Sequence, residues 1–143
     1  MGIRLNCYKF DDIVENETKA DFEVTVTSEM MDQFLSICGD INPMHIDSKY
    51  AKSKGYNDRL VYGMMTASFY STLVGVYLPG KYCILQEIET SFYNPVYIGD
   101  ILTIKGAVTQ KDKVLKRLAI TAKIVNQNEK RISKAKIMVG CLE

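Results

Sequence analysis

The sequence predicts an α+β fold in which a curved antiparallel sheet surrounds one long apolar helix. Residues 63–78 carry no charged side chain, and wound as a helix they point apolar groups in every direction, so this helix must be buried. Strand patterns dominate the rest of the second half, and the last three strands are joined by short polar segments that indicate antiparallel hairpins. A chain of 143 residues is long enough for one domain, predicted here over residues 1–143.

The first predicted elements are a strand and an amphipathic helix. Residues 22–26 alternate apolar and polar side chains, which is the period of a half-buried strand. Thr27 or Ser28 can cap the helix that follows, because a hydroxyl accepts hydrogen bonds from the free amides of a first turn. Its apolar side chains recur at helical spacing and are Met30, Met31, Phe34, Leu35, Ile37 and Cys38. Gly39 is predicted to end it, since glycine readily adopts the left-handed conformation found there.

The next segment is predicted to be a shaped loop over residues 40–45. Pro43 disfavours helical backbone angles at Asn42, so the preceding helix cannot continue through this point. A short helix over residues 48–53 is predicted to follow and to end near Gly55.

The remaining elements are the apolar helix and four strands. Pro79 ends the helix because it lacks the amide hydrogen that another turn needs. The predicted strands are residues 82–93, 101–110, 115–125 and 131–141. In the third of these, one apolar face carries Leu118, Ile120, Ala122 and Ile124. A sheet with a single long helix leaves apolar surface uncovered, so we expect a second copy of the chain to complete the cover, as a homodimer or a higher homo-oligomer.

Composition narrows the classes of protein. The chain is 47% hydrophobic and 24% charged, has no apolar run of the roughly 20 residues that a membrane span needs, and lacks the basic, apolar start of a secretory signal. We therefore expect a cytoplasmic protein that does not cross a membrane. Its four cysteines are widely spaced, which argues against zinc or redox pairs and favours reduced thiols that mostly pack in the interior. No metal site is predicted.

Charge is unevenly distributed along the chain. Residues 105–143 contain ten Lys or Arg and three Asp or Glu. Residues 1–104 contain eight Lys or Arg and fourteen Asp or Glu. Two interpretations stay open: the basic end attracts a phosphate-bearing or acidic carrier, or the lysines only decorate solvent-facing strands and block unwanted strand pairing. Nucleic-acid binding is not favoured, because no set of aromatic stacking side chains accompanies the basic residues.

The most informative stretch places Asp40 and His45 five residues apart. Gly39 and Pro43 stiffen the backbone around them, so the carboxylate and the imidazole could hold one water molecule from two sides. Histidine is the side chain that titrates nearest neutral pH, and Asp40 can orient it or share its proton. The residue types alone leave open a second interpretation, in which a helix end is followed by an Asn-Pro turn and a histidine with a purely structural role.

These residues resemble the signature of the MaoC-like dehydratases and R-specific enoyl-CoA hydratases. In that family an aromatic residue, a Gly-Asp-x-Asn-Pro-x-His run and an Ala after a short spacer follow one another. In this chain they are Phe34, Gly39-Asp40-Ile41-Asn42-Pro43-Met44-His45 and Ala51. The similarity continues over residues 60–68, 78–80 and 92–100, and it covers residues 8–141 in all. It implies the hotdog fold, a dimeric unit, and acyl thioester substrates carried on coenzyme A or acyl carrier protein, with no cofactor.

The resemblance also implies a mechanism. Asp40 and His45 bind the water that adds across a trans-2-enoyl thioester: one takes a proton as the oxygen attacks C3, and a proton returns to C2 on the same face. Dehydration is the reverse. The backbone N–H of Gly63, at the positive end of the apolar helix, is the candidate donor to the thioester oxygen, where negative charge develops. Gly63 could instead be needed only for packing at the start of the helix.

Asn42, Tyr62 and Ser71 are assigned to substrate binding. Asn42 supports the pair from within its loop, and Ser71 matches a family serine that faces the site, although a serine bonded to its own helix backbone is an equal alternative. Tyr62 stands where the family usually has histidine, which leaves His45 as the only histidine in the chain. A phenol still donates a hydrogen bond but is bulkier than an imidazole, so this departure bears on pocket shape and substrate size.

Two other functions share this fold. A hotdog thioesterase typically has an acidic residue on or near the central helix, and residues 64–78 contain none. A non-catalytic acyl-binding protein of the same fold is the second alternative, because fold alone does not establish activity. The presence of Asp40, His45 and Gly63 together favours a hydratase over both.

Overall fold

A computed structural model describes residues 2–143 of the chain. Its helical segments are a 3₁₀ turn Phe10–Asp12, α1 Ser28–Cys38, α2 Pro43–Ile46, α3 Ser48–Ser53 and α4 Gly63–Thr72, which continues as the π-helical turn Leu73–Tyr77. Its strands are β1 Lys19–Thr25, β2 Cys83–Phe92, β3 Ile101–Asp112, β4 Arg117–Val125 and β5 Arg131–Cys141.

Within residues 2–143 the five strands form one antiparallel sheet, in the order β1-β3-β4-β5-β2. β1 and β2 are therefore its edges. The apolar face predicted for β4 is confirmed, because its four side chains, Leu118, Ile120, Ala122 and Ile124, are all buried. The segment from α4 to the π-helical turn packs on this face with Tyr70 and Leu73 buried in the same core. The prediction of a sheet around one apolar helix is confirmed.

Close contact between helix and sheet depends on Gly106 of β3. A Cβ atom added at this position would lie 2.6 Å from Cδ2 of Leu73, well inside van der Waals contact. Protein interiors pack without voids, so the absent side chain is what lets the π-helical turn approach the sheet here.

The ends of α1 follow the predicted local chemistry. The hydroxyl of Thr27 accepts a hydrogen bond from the backbone N–H of Met30 at 3.2 Å, so Thr27 rather than Ser28 is the cap. Gly39 has a left-handed φ of 72°, and its N–H donates to the carbonyl of Leu35 at 2.8 Å. The helix therefore ends where glycine was expected to end it.

The loop predicted over residues 40–45 is wrong in its second half, where α2 begins at Pro43. The side chain of Asn42 accepts from the N–H of Met44 at 2.9 Å and caps this short turn. Proline suits a first helical position because the amide there needs no partner, so Pro43 ends one helix and starts another.

Several side chains expected to be buried are exposed in the single chain. Met64 is 65% exposed on α4, and Ser68 and Ser71 lie on the same exposed side, so α4 is not covered all round. Ile37, which was predicted on the apolar face of α1, is 81% exposed. The sheet covers one side of α4, and no element within residues 2–143 covers the side that carries Met64, Ser68 and Ser71. Two of the four cysteines, Cys7 and Cys38, are also exposed, so the expectation that most cysteines pack inside is wrong.

The lengths and hydrophobicities of the helices bear on membrane insertion. No helix within residues 2–143 combines the length and the hydrophobicity needed to cross a lipid bilayer.

Candidate active site

Three segments bring the predicted catalytic residues together at the N-terminal end of α4. Asp40 follows the end of α1, His45 lies in the single turn α2, and Gly63 is the first residue of α4. The N–H of Leu60 donates to the carbonyl of Met44 at 2.8 Å and ties the segment before α4 to α2. This contact holds His45 close to the start of α4, where Gly63 lies.

The imidazole of His45 is oriented by a backbone carbonyl. Its Nδ1 lies 2.9 Å from the carbonyl oxygen of Leu60. A carbonyl only accepts, so in the neutral ring the proton is on Nδ1 and Nε2 keeps its lone pair. Nε2 is therefore free to accept a proton from a reacting molecule.

Asp40 faces that nitrogen. Its Oδ2 lies 3.7 Å from His45 Nε2, while its Oδ1 accepts a hydrogen bond from the N–H of Asn42 at 3.0 Å. A separation of 3.7 Å exceeds a direct hydrogen bond, yet a water to one side can lie at hydrogen-bond distance from both atoms. The side chain of Asp40 is 48% exposed and that of His45 is 19% exposed, so a solvent molecule can reach both.

Tyr62 contacts both the backbone of Asp40 and the ring of His45. Its hydroxyl donates to the backbone carbonyl of Asp40 at 2.9 Å, and its ring stacks on His45 with the ring centres 4.2 Å apart. Burial raises the pKa of Tyr62 above its usual value, and the nearby carboxylate of Asp40 raises it further. The phenol therefore keeps its proton at neutral pH and acts as a donor to the loop. The ring of Phe34 lies against it at 5.1 Å.

Gly63 presents its backbone to the same region. Its N–H lies in the first turn of α4, where it has no acceptor within the helix and lies at the positive end of the helix dipole. A Cβ atom at Gly63 would lie 3.3 Å from Cε1 of Phe92, so this phenyl ring leaves little room for a larger residue.

Two cavities of about 310 Å³ each open beside these groups, and His45, Gly63 and Phe92 line both. One extends past the end of β2, along Tyr56, Leu60, Val61, Thr66, Tyr93, Asn94, Pro95, Val96 and Ile132. The other extends toward α1, along Phe34, Cys38, Asp40, Tyr62 and Met64. A proton acceptor, a carboxylate and a free amide thus border adjacent cavities of a size that suits a small acyl group.

Four of the six residues predicted for the site lie together, and Asn42 and Ser71 lie outside this cluster. The cluster contains the Asp40–His45 pair, the backbone amide of Gly63 and the ring of Tyr62, which packs against His45. Asn42 uses its side-chain oxygen to cap α2, which agrees with a supporting position in the loop. Ser71 is exposed further along α4 and lines neither cavity, so its contact with substrate stays a prediction.

Sequence reasoning missed two contributors, Leu60 and Phe92. Leu60 acts through its backbone carbonyl, and a backbone contact cannot be recognised from the type of residue. Phe92 was noticed only as part of a similar stretch, and its contact with Gly63 joins positions 29 residues apart.

No group of three or more His, Cys, Asp or Glu side chains within residues 2–143 is placed to hold a metal ion.

The antiparallel sheet around a central helix, with the Asp-His pair at the start of that helix, defines a hotdog-fold protein. The family model of the MaoC like domain matches residues 9–130, and the chain belongs to this family. The (R)-specific enoyl-CoA hydratase of Rhodospirillum rubrum is 32% identical over 126 residues, which cover 84% of this chain and 87% of that protein.

Solved structures show the same fold. An (R)-hydratase from A. caviae involved in PHA biosynthesis is 28% identical with a TM-score of 0.85, over 90% of this chain and 97% of that one. An R-hydratase from Pseudomonas aeruginosa is 24% identical with a TM-score of 0.89, over 98% of this chain and 88% of that one. The hotdog fold and the family suggested by the resemblance are confirmed.

Proposed function

We propose that this protein is a hydro-lyase that adds water to a trans-2-enoyl thioester, or removes it from an (R)-3-hydroxyacyl thioester. The observation that supports this most directly is the 3.7 Å separation of His45 Nε2 and Asp40 Oδ2 beside a cavity that Gly63 also lines. The similarity to an (R)-specific enoyl-CoA hydratase over most of both chains supports the same reaction. The acyl group is carried on coenzyme A or acyl carrier protein. The reaction moves only a proton and a hydroxyl, so no cofactor is proposed.

The pair activates the water. Asp40 Oδ2 and His45 Nε2 hold it, and Nε2 accepts a proton as the water oxygen bonds to C3 of the enoyl group. The electrons of the C2–C3 double bond move toward the thioester carbonyl. The same proton then bonds to C2, so hydrogen and hydroxyl add to one face. Asp40 stabilises the imidazolium that forms between the two steps, and dehydration follows the reverse path.

Gly63 stabilises the charge that develops on the thioester oxygen. Its N–H has no acceptor within α4 and points from the positive end of the helix, where an oxyanion is favoured. Such a donor acts most strongly when it is already in place before the charge appears. The start of α4 meets this condition, because Met65 and Thr66 both donate their N–H to the carbonyl of Tyr62 at 3.1 and 3.2 Å and hold the first turn rigid.

We also propose that two copies of the chain form the working unit. Leu85, Ile88 and Phe92 of the edge strand β2 are 49%, 40% and 47% exposed, although their cross-strand partners on β5 are buried. With Met64 of α4 they form an apolar surface that reaches the cavities. A second copy pairing through β2 would cover this surface and extend the pocket along α4 toward Ser71.

A product assay tests the reaction. A hydratase lowers the absorbance of the enoyl group without releasing free thiol, whereas a thioesterase releases thiol. A non-catalytic acyl-binding protein does neither, although it binds the thioester. We expect enoyl absorbance to fall and thiol to stay absent, and thiol release would contradict the proposal.

Matched variants test the pair. His45→Asn keeps an amide where Nδ1 donates to Leu60 but removes the Nε2 atom, so we expect a folded protein with at least about 100-fold lower activity. Asp40→Asn removes the carboxylate charge and is expected to lose activity on the same scale. Asp32→Asn removes an exposed carboxylate from α1 and serves as the control. Full activity in either site variant would exclude the proposed roles.

A further inference from the structure

A row of lysines crosses the outer face of the sheet. Lys105 of β3 lies directly opposite Lys123 of β4, and Lys123 lies directly opposite Lys134 of β5. Like charges at directly opposed positions destabilise a sheet, so such a row needs a reason. Asp21 is the register partner of Lys105, yet within residues 2–143 no Lys or Arg nitrogen lies within 4.0 Å of a carboxylate oxygen. The three lysines therefore form no close ion pair, and the row keeps a net positive charge beside the single carboxylate of Asp21.

The lysines surround a depression. A groove of about 600 Å³ runs over the outer face and includes all three lysines together with Lys19, Arg131 and one acidic residue, Asp21. Its floor consists of the small outward-facing side chains of Ala107 and Thr121 and the backbone of Ala20, Gly106 and Ala122, whose side-chain positions face the core. Positive side chains around a floor of small residues form a shape that suits a compact anion.

The groove adjoins the candidate active site at Tyr93. The guanidinium of Arg131 lies 5.3 Å from the centre of the Tyr93 ring, and Nζ of Lys134 lies 6.0 Å from it. Tyr93 also lines the cavity that contains His45 and Gly63. One aromatic side chain thus separates the positively charged groove from the space where the acyl thioester would react.

We propose that this groove binds the phosphate groups of the nucleotide end of a coenzyme A thioester while its acyl end lies beside His45. The inference rests on the proposed function and deepens it by naming the carrier. Coenzyme A carries three phosphates on a small nucleotide, which matches a compact groove lined with five cations and one carboxylate. An acidic carrier protein would need a wider contact, on the order of 800 Å² on each partner.

The test compares two substrates that share one acyl group. The double variant Lys123→Gln/Lys134→Gln removes two charges from the groove and touches neither Asp40 nor Gly63. We expect KM for the enoyl-coenzyme A to rise about 3- to 10-fold with kcat unchanged, the scale of two exposed charge pairs. KM for the enoyl-pantetheine, which has no phosphate, should stay the same. Lys113→Gln, in the turn between β3 and β4 and outside the groove, is the control.

Direct binding separates this proposal from the reaction itself. Calorimetry with 3′-phosphoadenosine 5′-diphosphate needs no turnover, and its affinity should fall in the double variant and not in Lys113→Gln. If the wild type binds this nucleotide but converts no enoyl thioester, the groove is supported and the proposed reaction fails. Equal KM changes for both substrates, unchanged nucleotide affinity, or a KM effect confined to a substrate on acyl carrier protein would overturn the assignment.

Discussion

The two ends of the central helix differ in what surrounds them. At its start, Gly63 opens on two cavities and Met64 is 65% exposed. At its far end, Leu73 and Leu78 are fully buried, and Leu73 fits against the bare backbone of Gly106. The packed end holds the helix against the sheet, so the open end can keep a free amide and unfilled space. Stability and chemistry are thereby placed at opposite ends of one element.

The largest effect is expected at the packed end. Leu73→Ala leaves a void beneath the sheet and should lower the free energy of unfolding by about 2–5 kcal/mol. Activity per folded molecule should change little, because Leu73 lines neither cavity. Denaturant unfolding and activity at low temperature measure the two quantities. Val114→Ala, at a position that is 91% exposed, is the control. Lost activity with unchanged stability would contradict the division between the two ends.

The next largest effect is expected at the open end. Gly63→Pro removes the N–H, and the backbone tolerates proline because Gly63 is the first helical residue and Tyr62 has an extended ψ of 125°. We expect kcat/KM to fall about 100- to 1000-fold with little change in stability.

Gly63→Ala is the matched control for that change. It keeps the N–H but places a Cβ atom against Phe92, so it should lose less than about 10-fold in kcat/KM. Equal losses in the alanine and proline variants would show that space, and not the amide, matters at Gly63.

A smaller effect is expected from a buried hydrogen bond in the core between the two ends. The hydroxyl of Tyr70 lies 2.7 Å from that of Ser133, and both residues are buried. Tyr70→Phe strands the serine hydroxyl and should lower the free energy of unfolding by about 1–3 kcal/mol. The double variant Tyr70→Phe/Ser133→Ala should recover part of this loss, and unfolding of all four proteins in a double-mutant cycle measures the coupling.

The same tyrosine predicts a dependence of stability on pH. Burial raises the pKa of Tyr70 to about 12, whereas an unfolded tyrosine loses its proton near pH 10. The native state therefore keeps a proton that the unfolded state releases, so this contribution is complete below pH 10 and is lost as the pH rises toward 12. The difference in unfolding free energy between wild type and Tyr70→Phe should shrink over that range. A constant difference would mean that the phenol titrates normally.

The smallest effect is expected from Tyr62→Phe at the open end. This change keeps the ring against His45 but removes the hydrogen bond to the carbonyl of Asp40. We expect kcat to fall about 3- to 10-fold with KM unchanged, the scale of one hydrogen bond of about 1 kcal/mol. A change confined to KM would instead place the Tyr62 hydroxyl on the substrate.

Prediction from sequence succeeded where the chemistry is local. The bounds of β5 and of α3 agree with the predicted ranges, and Gly39 ends α1, because alternation, capping and left-handed glycine are properties of a few neighbouring residues. It failed at Pro43, where a proline that ends one helix also suits the start of the next. It also failed at Met64, because an uncharged sequence says only that a helix avoids water and not what covers it.

The sequence by itself determined the α+β architecture, the family, and the candidates Asp40, His45 and Gly63, since each depends on residue type and short spacing. Only the tertiary structure decided which nitrogen of His45 faces Asp40, that Tyr62 supports the loop, and that Tyr93 links the cavity to the lysine groove. These facts depend on backbone carbonyls and on contacts between distant segments. The free energy of such contacts comes from packing in three dimensions, which short-range patterns do not encode.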